Sequence, residues 1–116
     1  MVNIYDSANQ VAADLRQIDE YKALEKAIAE VKSNEKSLKL FQEMDKMQTK
    51  IINLQSQGKD LSKELQDNYQ KLNEDVQKDP QIIKLLQTEQ VLYKLIDDIQ
   101  KAITKPISDL YDGLRN

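Results

Sequence analysis

The sequence predicts an all-α protein: an elongated bundle of about five helices, two short N-terminal ones and three longer ones, with a bend or break near Pro106. The expected organisation is a single helical domain over residues 1–116. Three observations carry this. Apolar residues recur at alternating steps of four and three along most of the chain, which gathers them on helical faces. Helix breakers are scarce, with two glycines (Gly58, Gly113) and two prolines (Pro80, Pro106). Period-two alternation and β-branched runs are missing, so no strand is expected.

The first helix follows from Ile4, Ala8, Val11, Leu15 and Ile18, with Asn3 as its cap and Asp6 three residues on. Asp19 in "QIDEYK" offers a cap for a second helix whose face is Tyr21, Leu24, Ile28 and Val31. "KSNEKS" interrupts the pattern. Ser33 or Asn34 can then cap a third helix with the face Leu40, Met44, Met47, Ile51 and Leu54, widened by Leu38, Phe41 and Ile52. Gly58 suits the left-handed position that closes a helix. Asp60 is the expected cap of the fourth helix, with Leu61, Leu65, Tyr69, Leu72 and Val76 on its face. "QKDPQI" is the strongest boundary: Asp79 makes a good N-cap, and Pro80 fits the first helical position, where its missing N–H is not needed. The fifth helix carries a broad stripe, from Ile82, Ile83, Leu85 and Leu86 through Leu92, Leu95, Ile96 and Ile99 to Ile103. Such breadth predicts burial on two sides, against its own chain and against another. Acid-first i,i+4 pairs (Glu35–Lys39, Asp67–Lys71, Glu74–Lys78, Asp97–Lys101) support the helices without implying a site.

"AITKPISDLYDGL" sets two local signals against each other. Pro106 clashes with the carbonyl of Ala102 and removes a helical hydrogen bond. Yet Ile107, Leu110, Tyr111 and Leu114 continue the apolar stripe beyond it. Two outcomes are open, a kink or a stop. In both, the apolar tail is expected to be buried, bent back beside the first helix or laid on a partner chain.

The charge balance, 17 Lys+Arg against 20 Asp+Glu for a net −3, offers no broad basic field for a nucleic-acid backbone, so no direct nucleic-acid binding is expected. Charged residues at 32%, hydrophobic ones at 40% and aromatics at only 5% are the profile of long helices or coiled coils. Cysteine and histidine are both absent. That removes disulfides, thiolate metal sites, the commonest catalytic base and the commonest transition-metal ligand. No D-x-D-x-D-G loop and no Gly-rich phosphate loop occurs, so neither a metal nor a cofactor is expected. "MVNIYDSANQ" has neither the basic nor the apolar region of a signal peptide, and no run approaches membrane-span length. The expected location is the cytoplasm, without membrane insertion.

The candidate chemistry is thin. Asp19–Glu20, Glu74–Asp75 and Asp97–Asp98 are adjacent acids, and helical i,i+1 neighbours point apart, so a carboxylate dyad has little support. Ser7, Ser33 and Ser62 have no histidine to activate them. Met44 and Met47 read as adjustable core filling, with a peptide groove as the other reading. Tyr5 and Tyr111 read equally as core edges and as interface residues. Glu89 and Gln90 stand in the most apolar helix, either on a solvated turn or inside an interface, where a polar group fixes register.

"NIYDSANQVAADLR", "KSLKLFQEMDKMQ" with "LQSQGK", and "KPISDLY" together resemble the YlbF/YmcA/YheA family of small helical bacterial proteins, closest to the YheA-like branch. The resemblance implies an all-helical, oligomeric cytoplasmic protein without enzymatic activity. It also implies kinship with YlbF and YmcA, whose complex influences RNA processing, competence, sporulation and biofilm formation, is linked to a membrane-associated ribonuclease and is associated with iron–sulfur clusters. A chain without cysteine cannot supply thiolates to such a cluster.

The expected function is thus a non-enzymatic interaction or regulatory protein, working as a homodimer or higher oligomer through helical faces, with another protein as a further partner. The candidate interface is Leu40, Met44, Met47, Ile51 and Leu54 on the third helix and Leu92, Ile96, Ile99, Ile103, Leu110 and Tyr111 on the fifth. The first alternative is an accessory factor of RNA processing, competence or biofilm regulation, like the relatives but without their cluster. A more remote alternative is a small-ligand binder or enzyme, which would need polar groups converging from separate helices. Because neither Cys nor His is present, thermal unfolding with and without a chelator is expected to give the same midpoint; a bound metal would raise it by mass action.

Overall fold

The computed structural model describes residues 1–115, and among them five α-helices and no strand. They are α1 (Ile4–Leu15), α2 (Asp19–Ser33), α3 (Glu35–Ser56), α4 (Lys63–Gln77) and α5 (Pro80–Arg115). The all-α expectation and the number of helices hold.

The helix ends show why the chain breaks where it does. The Asn3 side chain accepts from the N–H groups of Tyr5 and Asp6, satisfying two donors that have no partner inside α1. Asn34 does the same for α3 by accepting from Ser37 N. Gly58, at φ 71°, takes the left-handed conformation, and around it Lys59 N donates to Leu54 O while Gly58 N donates to Gln55 O. Those two bonds are the Schellman closure of α3, and they need a residue without a Cβ penalty at that φ.

Two caps differ from expectation. α4 begins at Lys63, capped by Ser62, whose hydroxyl accepts from Leu65 N at 3.1 Å. Asp60 lies too far upstream, and Leu61 precedes the helix rather than opening its face. Asp19 is the first residue of α2 rather than its cap: Lys22 N donates to Ile18 O, and Asp19 and Glu20 occupy the first turn, where negative charge suits the helix dipole.

The backbone divides into two compact units, one of residues 1–24 with the described residues from Gln87 on, the other Glu25–Leu86. The Glu25–Leu86 unit holds nearly all of the tightly buried apolar side chains: Ala27 and Val31 of α2, Leu65 and Val76 of α4, and Ile82 and Leu85 of α5. Here α3 packs along α4. Lys84 of α5 reaches Glu30 of α2 at 3.7 Å, a half-exposed pair of small energetic weight. The other unit buries far less. Leu92, at 3% exposure, is its one apolar side chain in the buried class among the described residues. Leu15, Ile18, Leu95, Ile96 and Ile99 are half-buried.

Pro106 does not end α5, which runs unbroken from Pro80 to Arg115. The proline costs about 3 kcal/mol within a helix. A stop there would strand four terminal carbonyls with no glycine beside them to close the end. Carrying on loses only one bond of the ladder. The tail also departs from expectation: its own chain does not cover it, since Ile107, Leu110, Tyr111 and Leu114 are 52–80% exposed. The helix continues through the proline, and its stripe beyond that point finds no cover in its own chain. On the surface, Asp97–Lys101 closes at 2.9 Å as expected, and Lys105–Asp109 adds a pair at 2.8 Å.

Gly58→Ala is expected to destabilise the fold by about 1 kcal/mol, since an L side chain is strained at positive φ. The urea midpoint should fall with no change in the slope.

Candidate functional site

Among the described residues the buried polar side chains are Ser37 and Asp79, and they join α3 to the start of α5. Asp79 Oδ1 accepts from Gln81 N at 3.0 Å and Ile82 N at 3.1 Å, capping α5. Its other oxygen, Oδ2, accepts from Ser37 Oγ at 2.7 Å. Gln81 Oε1 lies 3.0 Å from the same hydroxyl. A serine has one proton to give, and the charged carboxylate is the stronger acceptor. Ser37 is 2% exposed and Asp79 8%. Ser37 was not among the serines singled out from the sequence, although a signal existed: stepping back three from Leu40 continues the α3 stripe onto it.

Burial pushes the Asp79 carboxyl up. The Ser37 hydroxyl, the Ile82 and Gln81 backbone N–H groups and the Lys36 charge outweigh that and hold it below the usual carboxylate range. A depressed folded pKa means that the unfolded chain binds the proton first on acidification. The stabilisation is therefore present above about pH 4 and is lost as pH falls through the lower folded value. Asp79→Asn keeps a capping oxygen but loses the charge. It is expected to cost about 1 kcal/mol at pH 7 and to flatten the acid limb of a stability–pH profile measured by urea unfolding.

Beside this cluster, Lys36, Lys39 and Lys78 face Glu43, Asp75 and Asp79 around a groove of about 390 Å³. Three cations against three acids give no net field for an ion of either sign. A second groove, of about 380 Å³, is lined by Ile51, Ile52, Leu61 and Tyr69 with the side chains of Gln48 and Gln66. Both are open furrows along α3 and α4. Of the adjacent acids, Asp19 and Glu20 sit in the first turn of α2, Asp75 lines the charged groove and Asp97 is engaged by Lys101.

The candidate interface residues fall into three groups. Leu40, Met44, Met47, Ile51 and Leu54 are half-buried along α3, with Met47 beside Leu72 in a furrow between α3 and α4. Leu92 is buried within its own chain, while Ile96 and Ile99 are half-buried. Ile103, Leu110 and Tyr111 are 64%, 76% and 52% exposed. Tyr111 also carries the Arg115 guanidinium over its ring, 5.6 Å from the centroid. Glu89 is half-buried on α5, and burial raises its carboxyl above the usual range. At α1, Ile4, Tyr5 and Val11 are exposed as well. Among the described residues no helix is long and apolar enough to cross a membrane.

The comparisons with known proteins agree with this architecture. A Bacillus stearothermophilus protein of unknown function (DUF964) superposes with a TM-score of 0.84 over 93% of this chain and 95% of its own, at 20% identity, which shows a shared fold. YheA from Bacillus subtilis gives a TM-score of 0.70 over 95% of this chain and all of its own, at 28% identity. In sequence, a UPF0342 protein of Lactobacillus helveticus is 54% identical over the full length of both chains. A UPF0342 protein of Staphylococcus aureus is 37% identical over 95% of this chain and 96% of its own. The family model described as control of competence regulator ComK, YlbF/YmcA, matches residues 4–108, and the chain belongs to that family.

Proposed function

We propose that this chain is a non-enzymatic cytoplasmic interaction protein that works as a homo-oligomer through its helical faces. The observation that carries this reading is the end of α5, where every residue from Lys101 to Arg115 is exposed although the apolar stripe continues to Leu114. Exposed apolar area of that kind marks a surface that something else covers. The proposed faces are the α3 line Leu40, Met44, Met47, Ile51 and Leu54, and the α5 line Ile96, Ile99, Ile103, Leu110 and Tyr111. Leu92 serves instead to hold its own chain together.

The family description favours a second, finer reading: a part in competence control, carried out by binding protein partners. An iron–sulfur cluster does not enter that reading, because the chain offers neither thiolate nor imidazole ligands. The balanced charges and open shape of the α3–α4 furrows give the small-ligand alternative little to stand on. Deleting the gene and measuring transformation frequency tests the competence reading, and an unchanged frequency would count against it.

Leu110→Glu distinguishes self-association from a merely greasy surface. At 76% exposure a carboxylate there costs the lone chain little, but inside an apolar interface it is strongly unfavourable. Sedimentation at micromolar concentration is expected to show an oligomer for the wild type and a monomer of equal helicity for the variant. A well-folded wild-type monomer would remove the basis of the proposal.

A further inference from the structure

α1 and the end of α5 belong to the same compact unit, and each presents an apolar stripe that this chain leaves largely uncovered, Leu15 being half-buried. On α1 the stripe is Ile4, Ala8, Val11 and Leu15. On α5 it is Ile103, Ile107, Leu110 and Leu114. The two have the same spacing, steps of four, three and four, so each is one 12-residue ridge about 18 Å long. Ile4 is 69% exposed and Val11 41%, while the four α5 residues are 58–80% exposed. Neither ridge is therefore seated on the other within one chain.

We infer that in the oligomer the α5 ridge of one copy packs on the α1 ridge of a second copy, reciprocally about a two-fold axis. This rests on the self-association proposed above and names its pairing. Three observations favour a second copy as the occupant. Each ridge is a row at helical spacing of the kind that seats in the groove of a neighbouring helix. A two-fold exchange covers both with a single partner, since residue i meets residue j and j meets i. The area also suffices. These ridges with their neighbours Tyr5 and Tyr111 expose on the order of 1,000 Å² per copy, against the roughly 800 Å² per partner of a stable pair.

Bulk agrees with this pairing. Pro106 and Gly113, seven apart on the flank of the α5 ridge, put no long side chain in the way of a neighbouring helix. A Cβ at Gly113 would meet nothing of its own chain within 4 Å.

The native chain has no cysteine, so single thiols can be placed at will. Full-length Ala8→Cys and Ile107→Cys variants, one with a size tag, are mixed, allowed to exchange subunits and treated with a short bismaleimide. Both positions lie mid-ridge, so the result holds for parallel and antiparallel packing. The mixed cross-link is expected to exceed either self-cross-link at least fivefold. A dominant Ile107→Cys self-cross-link would show tails pairing with tails and overturn the inference. Oligomers by sedimentation without the mixed cross-link would overturn this pairing while leaving self-association standing; a monomer would overturn both. Helicity and thermal midpoint check that each variant folds, and Val11→Cys with Leu110→Cys replaces the pair if one does not.

Discussion

Asp79 is the residue on which the Glu25–Leu86 unit turns. One carboxylate oxygen receives the first free N–H groups of α5, and the other holds the Ser37 hydroxyl in the first turn of α3. A buried carboxylate is costly unless its lone pairs are engaged, and here three donors engage them. Capping alone would leave Asp79 at an exposed helix end. Tying it to Ser37 links the first turn of α3 to the start of α5, where Ile82 and Leu85, which follow the cap, are buried.

Burial is uneven, and that unevenness is the functional argument. Around α3 and α4 the stripes are at least half covered, Ile52 apart. At Ile4 of α1 and from Ile103 on they are not. A protein whose working surface is a helix face needs no convergent polar groups. The balanced charge of the furrows and the absence of Cys and His from the sequence fit that economy, as does membership of a family described by its control of a regulator rather than by a reaction.

Pro106 shows how local and longer-range signals are weighed. Locally it forbids one bond. The alternative, an uncapped stop, would strand four carbonyls, so α5 continues. Beyond the proline Ile107, Leu110 and Leu114 stay exposed, and the apolar pattern that suggested a bent-back tail becomes an uncovered ridge.

Helix count, the caps at Asn3 and Asp79, the narrowing of the α3 cap to Ser33 or Asn34, and the closure at Gly58 were legible from residues within five positions of each other, because capping is settled by local hydrogen bonds. The choice of Ser62 over Asp60 lay within the same range and was decided by which oxygen reached Leu65 N. The candidate face was legible only as a pattern. Spacing shows that Leu92 and Leu110 both lie on apolar stripes of one helix, but not that the first is buried in its own chain and the second is open. Ser37 and Asp79 stand 42 residues apart. No local rule joins them, so their bond, like the division of apolar residues between inside and outside, was decided by the tertiary structure, where long-range contacts set which face has a neighbour.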